Sequence, residues 1–144
     1  MIWFNQIMSP RTRSRAAVDD VARYRAELLA HLPEMRAAAD RVQRALAHGT
    51  AAYEHIRDTL NAGLPISDLK DLIEPDQLRS ELSDALGHLE RARHRGQCLT
   101  FRLLHAEGTS ITDIAHTWGI SRQLVSRLVN ETLGPTSRRV NRRN

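Results

Sequence analysis

The side chains between Ser121 and Asn130 form the most informative chemical pattern in this chain. Val125, Leu128 and Val129 are spaced so that they share one side of a helix. The polar side chains then fall on the other side: Ser121, Arg122, Gln123, Ser126, Arg127 and Asn130. Arginine can pair with guanine, glutamine and asparagine with adenine, and serine with phosphate or base. This helix face therefore carries the groups that recognise base edges in a DNA groove.

A second short helix is predicted immediately before this one. Ser110 is a favourable N-cap, and Asp113 three residues later fits a capping box. The apolar residues of this helix share one face: Ile114, Ala115 and Trp118. Gly119 follows where the chain must turn, because glycine takes a positive φ without steric cost. Ser121 can then cap the next helix, and the small Ala115 leaves room where the two helices cross.

The sequence from Asp113 to Asn130, DIA-x-x-x-GIS-x-Q-x-VSR-x-VN, resembles the helix-turn-helix of lac-repressor-type DNA-binding proteins. Similar patterns occur in sigma-factor region 4 and in resolvase-type domains. The resemblance covers about 22 of the 144 residues and implies that the second helix enters the major groove. Lac-type repressors carry this motif at the N-terminus, ahead of a sugar-binding domain. Here it lies near the C-terminus, so the resemblance implies nothing about an inducer.

The distribution of charge also favours a nucleic-acid partner. Residues 1–95 hold 14 basic and 14 acidic residues, whereas residues 96–144 hold seven basic and three acidic, so the net charge of +4 lies in the second part. Such a local excess is expected of a segment that neutralises phosphates. We expect residues 134–144 to form a disordered basic tail that contacts phosphates through Arg138 and Arg139, together with Arg142 and Arg143. Ser110 is also placed among the candidate DNA contacts.

Longer helices are predicted before this motif. A first helix should run from about Arg15 to His31, and Pro33 should interrupt it and occupy the first turn of a second helix that ends near residue 61. The second helix carries an apolar stripe: Met35, Ala38, Val42, Leu46, Gly49, Tyr53, Ile56 and Leu60. Pro75 should open another helix that reaches about Ala106, before a break at Glu107 and Gly108.

The sequence therefore predicts an all-α protein whose long N-terminal helices form a hairpin or bundle ahead of a C-terminal helix-turn-helix domain. Near-heptad stripes of this length are typical of a coiled-coil hairpin or of a dimer. The predicted organisation is a flexible arm at residues 1–14, a dimerisation or bundle region at 15–95, and the helix-turn-helix domain at 96–133. A homodimer through the N-terminal helices is preferred to an intramolecular bundle, because two DNA-binding domains on one duplex raise the affinity.

The sequence contains little that indicates catalysis, a cofactor or a metal site. His94, Cys98 and His105 could share a helix face, but no CxxC or HExxH pattern accompanies them, so a thiol packed among the helices is favoured. A single cysteine suits a reducing cytosol. No apolar run approaches the roughly 18 residues that a membrane span needs. We expect no enzyme, no cofactor and no metal, and a cytoplasmic, nucleoid-associated location.

The function that these patterns predict is sequence-specific binding of double-stranded DNA, in a transcriptional regulator that acts as a dimer. Two alternatives stay open. The helix-turn-helix could dock on a protein partner such as polymerase, or the chain could coat DNA with little regard to sequence. The pattern indicates neither the DNA target nor a small-molecule effector.

Overall fold

The computed structural model describes residues 15–71 and 73–134 of the chain. Within these residues the regular structure is entirely helical, which confirms the all-α class. The elements are α1 (Arg15–Asn61), a short 3-10 helix (Ile66–Asp71), α2 (Pro75–Ala106), α3 (Ile111–Trp118) and α4 (Arg122–Asn130). The predicted N-terminal arm, residues 1–14, lies outside the described residues, as do residues 135–144 of the predicted basic tail.

The chain forms two compact units. The hairpin unit consists of residues Arg25–Gln97, and the C-terminal unit contains, among the described residues, 98–134 together with 15–24. Among the described residues, none of the helices combines the length and the apolarity that crossing a membrane requires.

Helices α1 and α2 run antiparallel within the hairpin unit. His31 Nε2 donates a hydrogen bond to the carbonyl oxygen of Ala92 across 2.7 Å. Further along α1, Nδ1 of His48 lies 2.9 Å from Oε2 of Glu81. Because higher residue numbers on α1 match lower numbers on α2, the two helices point in opposite directions.

The hairpin packs through a regular alternation of three- and four-residue steps. On α1 the inward positions are buried or half-buried, and half of them are small: Leu28, His31, Met35, Ala38, Val42, Ala45, Gly49, Ala52, Ile56 and Thr59. On α2 the equivalent positions are Leu78, Leu82, Ala85, Leu89, Ala92 and Gly96. This is the heptad spacing of a coiled coil, and the small side chains allow the two helix axes to approach closely.

The predicted α1 stripe was partly wrong, because it combined two neighbouring helix faces. Leu46, Tyr53 and Leu60 are exposed by 53%, 73% and 56%, instead of facing inward with Ala38 and Ala52. Residues four apart on a helix differ in direction by only about 40°. The larger apolar side chains therefore masked the inward positions next to them, which are occupied by Ala45, Ala52 and Thr59.

Pro33 does not interrupt α1, contrary to the sequence prediction. The helix is continuous from Arg15 to Asn61 with Pro33 inside it. Proline removes the hydrogen bond that its N–H would have donated to the carbonyl of Leu29. Both residues lie on the exposed side of α1, where water can satisfy that carbonyl. The packing of the inward side against α2 therefore keeps α1 continuous, although proline usually breaks a helix.

The other predicted helix boundaries are confirmed. Helix α1 ends at Asn61, and Gly63 follows with a φ of +67°. Helix α2 runs from Pro75 to Ala106, and Gly108 after it takes a φ of +103°. Proline at a helix start and glycine just past a helix end are strong local signals, so these limits follow from a few residues each.

Candidate nucleic-acid interface

The C-terminal unit has its own apolar core. Its centre is formed by side chains that are fully or almost fully buried: Cys98, Phe101, Ile114, Ala115, Val125 and Leu128. Cys98 and Phe101 belong to the last third of α2, so this part of the helix supports α3 and α4. Val125 and Leu128 fix one side of α4 against that core, which leaves its opposite side facing solvent.

Ser110 and Asp113 begin α3 as a capping pair. Oγ of Ser110 accepts a hydrogen bond from the backbone N–H of Asp113 at 3.1 Å. The same hydroxyl donates to Oδ2 of Asp113 at 2.6 Å. Ser110 is exposed, but its hydroxyl is already engaged at the helix end, so any contact that it makes with DNA has to share this hydroxyl.

The turn between α3 and α4 depends on a left-handed glycine. Gly119 has φ 63° and ψ 34°, and its N–H points to the carbonyl of His116, while the next residue, Ile120, donates to the carbonyl of Ala115 at 3.1 Å. These bonds close the end of α3. Ser121 then caps α4 by accepting a hydrogen bond from the N–H of Leu124 at 3.2 Å. As an acceptor in this bond, the Ser121 hydroxyl keeps its proton available to donate.

The solvent-facing side of α4 carries polar groups that are largely uncommitted. Arg122, Gln123 and Arg127 are exposed, and their side chains make no hydrogen bond or ion pair with any described residue. Asn130 donates from Nδ2 to the carbonyl of Ser126 at 2.8 Å. Together with Ile111 and Ser121, these residues line a shallow groove. Helix α4 itself contains no acidic residue, so the groove is lined by a cationic, hydrogen-bonding surface.

Arg102 holds the far end of α4, and the sequence analysis did not identify it. Its Nε donates to the carbonyl oxygen of Val129 at 3.0 Å, and its Nη2 donates to the carbonyl oxygen of Glu131. The last carbonyls of a helix lack partners within the helix, so this guanidinium satisfies groups at the C-terminus of α4. No local pattern signals the role, because Arg102 and Val129 are 27 residues apart.

Cys98 is completely buried in the core, in agreement with the packed thiol that the sequence favoured. Its Sγ lies 3.9 Å from Oε2 of Glu131. Burial raises the pKa of the Cys98 thiol, and the Glu131 carboxylate raises it further, while Arg102 opposes them. The thiol is therefore held protonated and out of contact with solvent.

Trp118 is more exposed than its place in the predicted apolar face suggested. It packs edge-to-face on Phe101, with ring centroids 5.0 Å apart and an interplanar angle of 77°. The indole nevertheless remains 48% exposed, because Trp118 is the last residue of α3 and only one edge meets the core.

The structure gathers most of the predicted contact residues on one surface. Five of them, together with the capping Ser121, lie along α4, whereas Ser110 lies at the start of α3. Arg138 and Arg139 are outside the described residues. Comparison of the chain with models of protein families, with curated proteins and with solved structures finds no match. The site is therefore characterised by its own geometry.

Proposed function

We propose that this chain is a sequence-specific double-stranded DNA-binding protein in which α4 enters the major groove. One observation carries the proposal. The outward side of α4 presents Arg122, Gln123 and Arg127 exposed and without partners among the described residues, while its inward side is buried. A helix that is fixed on one side and cationic on the other is suited to docking in a groove lined by phosphates.

The dimensions of α4 support this proposal. With its side chains an α-helix is about 10–12 Å across, and the major groove is about 12 Å wide. The Ser121 cap and the Arg102 hydrogen bonds hold both ends of the helix. The backbone of such a helix needs no further ordering on binding, so only its exposed side chains lose freedom when they contact DNA.

Each residue of the groove has an expected role. The guanidinium groups of Arg122 and Arg127 suit bidentate contact with guanine, and the amide of Gln123 suits adenine. Ser121 lies at the N-terminus of α4, where backbone N–H groups favour a phosphate. Occupation of a site near a promoter would make the chain a regulator of transcription.

The test is a selection of bound duplexes from random sequence, followed by affinity measurements on selected and random DNA. Replacing Arg122, Gln123 and Arg127 with alanine should abolish the preference, because each lost bidentate contact costs about 1–3 kcal/mol. Arg44→Ala is the matched control, since Arg44 is exposed on the hairpin unit. It should leave the preference unchanged.

Two results would reject the proposal in favour of a different function. Equal affinity for all duplexes would indicate a protein that coats DNA without selecting sequence. No binding even at low salt would indicate that the groove of α4 docks on a protein partner.

The basic tail is tested separately. Deleting residues 135–144, which contain Arg138 and Arg139, should weaken binding to all duplexes and preserve the base preference. The slope of log affinity against log salt should fall by roughly 0.9 for each lost phosphate contact. An unchanged slope would remove the tail from the DNA contacts.

A further inference from the structure

The hairpin unit exposes an apolar stripe along α1 that its own packing does not use. The α1 stripe consists of five residues spaced by seven: Leu32, Ala39, Leu46, Tyr53 and Leu60. Its four large members are exposed by 48%, 53%, 73% and 56% in chain order. From Leu32 to Leu60 it extends about 42 Å along the helix. A contiguous apolar surface of this kind marks an interaction site rather than scattered exposed residues.

The opposite side of α1 is polar, so the stripe gives the hairpin two different sides. That side carries Glu34, Arg41, His48 and His55 at the same seven-residue spacing. His48 hydrogen-bonds Glu81 of α2 there, and the bond lowers the pKa of the Glu81 carboxyl. His48 and Glu81 bond to each other within the hairpin, so their side of α1 faces solvent. The α1 stripe lies on the other side, which a partner would cover.

We infer that the α1 stripe binds a second copy of this chain, with the two α1 helices antiparallel and a two-fold axis at Leu46. Leu46 is the middle residue of the stripe, so this axis places Leu46 against its counterpart. The same axis sets Leu32 against Leu60 and the small Ala39 against the large Tyr53. A two-fold interface requires one surface to be complementary to itself, and the order of sizes along the stripe meets that requirement.

The first experiment measures the mass of the chain without DNA, by sedimentation at micromolar concentration. We expect twice the 16.3 kDa of one chain. Leu46→Glu should raise the dissociation constant by at least about 100-fold, because each copy loses a buried leucine and gains a carboxylate at the axis. Its helical content should not change, since Leu46 is exposed in the single chain. Leu64→Glu is the control, since Leu64 is also 53% exposed and lies outside the stripe.

The second experiment tests the register by exchanging side-chain sizes. Ala39→Tyr should weaken the dimer about threefold to tenfold, because it sets two large rings against each other, and the double variant with Tyr53→Ala should restore it. Arg44→Glu, on the opposite side of α1, should have no effect.

Two results would overturn the inference: a monomer for the unmodified chain, or a dimer that Leu46→Glu and Ala39→Tyr both leave intact. Because DNA is absent from both experiments, their failure would leave the proposed role of α4 to be judged independently.

Discussion

His31 joins α1 directly to the backbone of α2, through a hydrogen bond of 2.7 Å from its Nε2 to the carbonyl oxygen of Ala92. Its Nδ1 lies 3.0 Å from Oε2 of Glu34, one turn further along α1, and the imidazole is only 3% exposed. A slip of α1 by one residue would move the ring by about 1.5 Å and break the bond to Ala92. The histidine therefore sets the axial register of a hairpin whose other inward residues are mostly apolar.

Replacing His31 with alanine should lower the free energy of unfolding by about 2–4 kcal/mol. The variant loses a buried hydrogen bond and leaves a cavity between the helices. Urea denaturation measures the effect. His55→Ala is the control on the same helix, and because His55 is exposed it should change stability by less than about 0.5 kcal/mol. Equal losses in the two variants would contradict the role assigned to His31.

Two glycines in the hairpin should respond differently to alanine. A Cβ on Gly49 would have no heavy atom of a described residue within 4 Å, so Gly49→Ala should stabilise the protein by about 0.5–1 kcal/mol. A Cβ on Gly96 would lie 2.7 Å from Sδ of Met35, which must then move. We expect Gly96→Ala to be less stable than Gly49→Ala by at least about 1 kcal/mol. Thermal unfolding of the two variants compares them, and similar melting temperatures would show that Met35 relocates at little cost.

Arg102→Met should loosen the C-terminus of α4 without changing what α4 recognises. The methionine retains much of the packing but leaves the carbonyls of Val129 and Glu131 without their donor, at a cost of about 1–3 kcal/mol in stability. Binding to selected and random duplexes should weaken by the same factor. Arg91→Met, an exposed change on the same helix, is the control. A shift in base preference would mean that Arg102 contacts DNA itself.

The buried thiol of Cys98 should make stability depend on alkaline pH. Its folded-state pKa is raised above the ordinary value of 9.0, first by burial and then by Glu131. The stabilisation is therefore fully present below about pH 9 and is lost as the pH rises through the folded-state pKa. Cys98→Ala should flatten the fall in unfolding free energy above about pH 9. Identical slopes in the two proteins would show that the thiolate is not excluded by the core.

Local sequence signals were sufficient to predict α3 and α4. The predictions that failed, both in α1, depended on packing between residues far apart in the sequence. Two serines and one glycine define the limits of these helices, because capping and positive φ depend only on residues nearby. The continuity of α1 through Pro33 depends instead on contacts with α2, which lie far along the sequence. The inward alanines at 45 and 52 were overlooked because their burial follows from the register of the hairpin, not from their hydrophobicity.

The turn before α4 needs a residue at position 119 that adopts a positive φ, and it does not need glycine for its small size. A Cβ at this position would meet no heavy atom of a described residue within 4 Å, so glycine is required only by its φ of +63°. An L-residue pays for that φ, whereas a D-residue prefers it. A semisynthetic chain with D-alanine at 119 should therefore fold more stably than the glycine chain, since its unfolded state is more restricted. The mirror-image residue would adopt this φ without the strain that the natural enantiomer incurs.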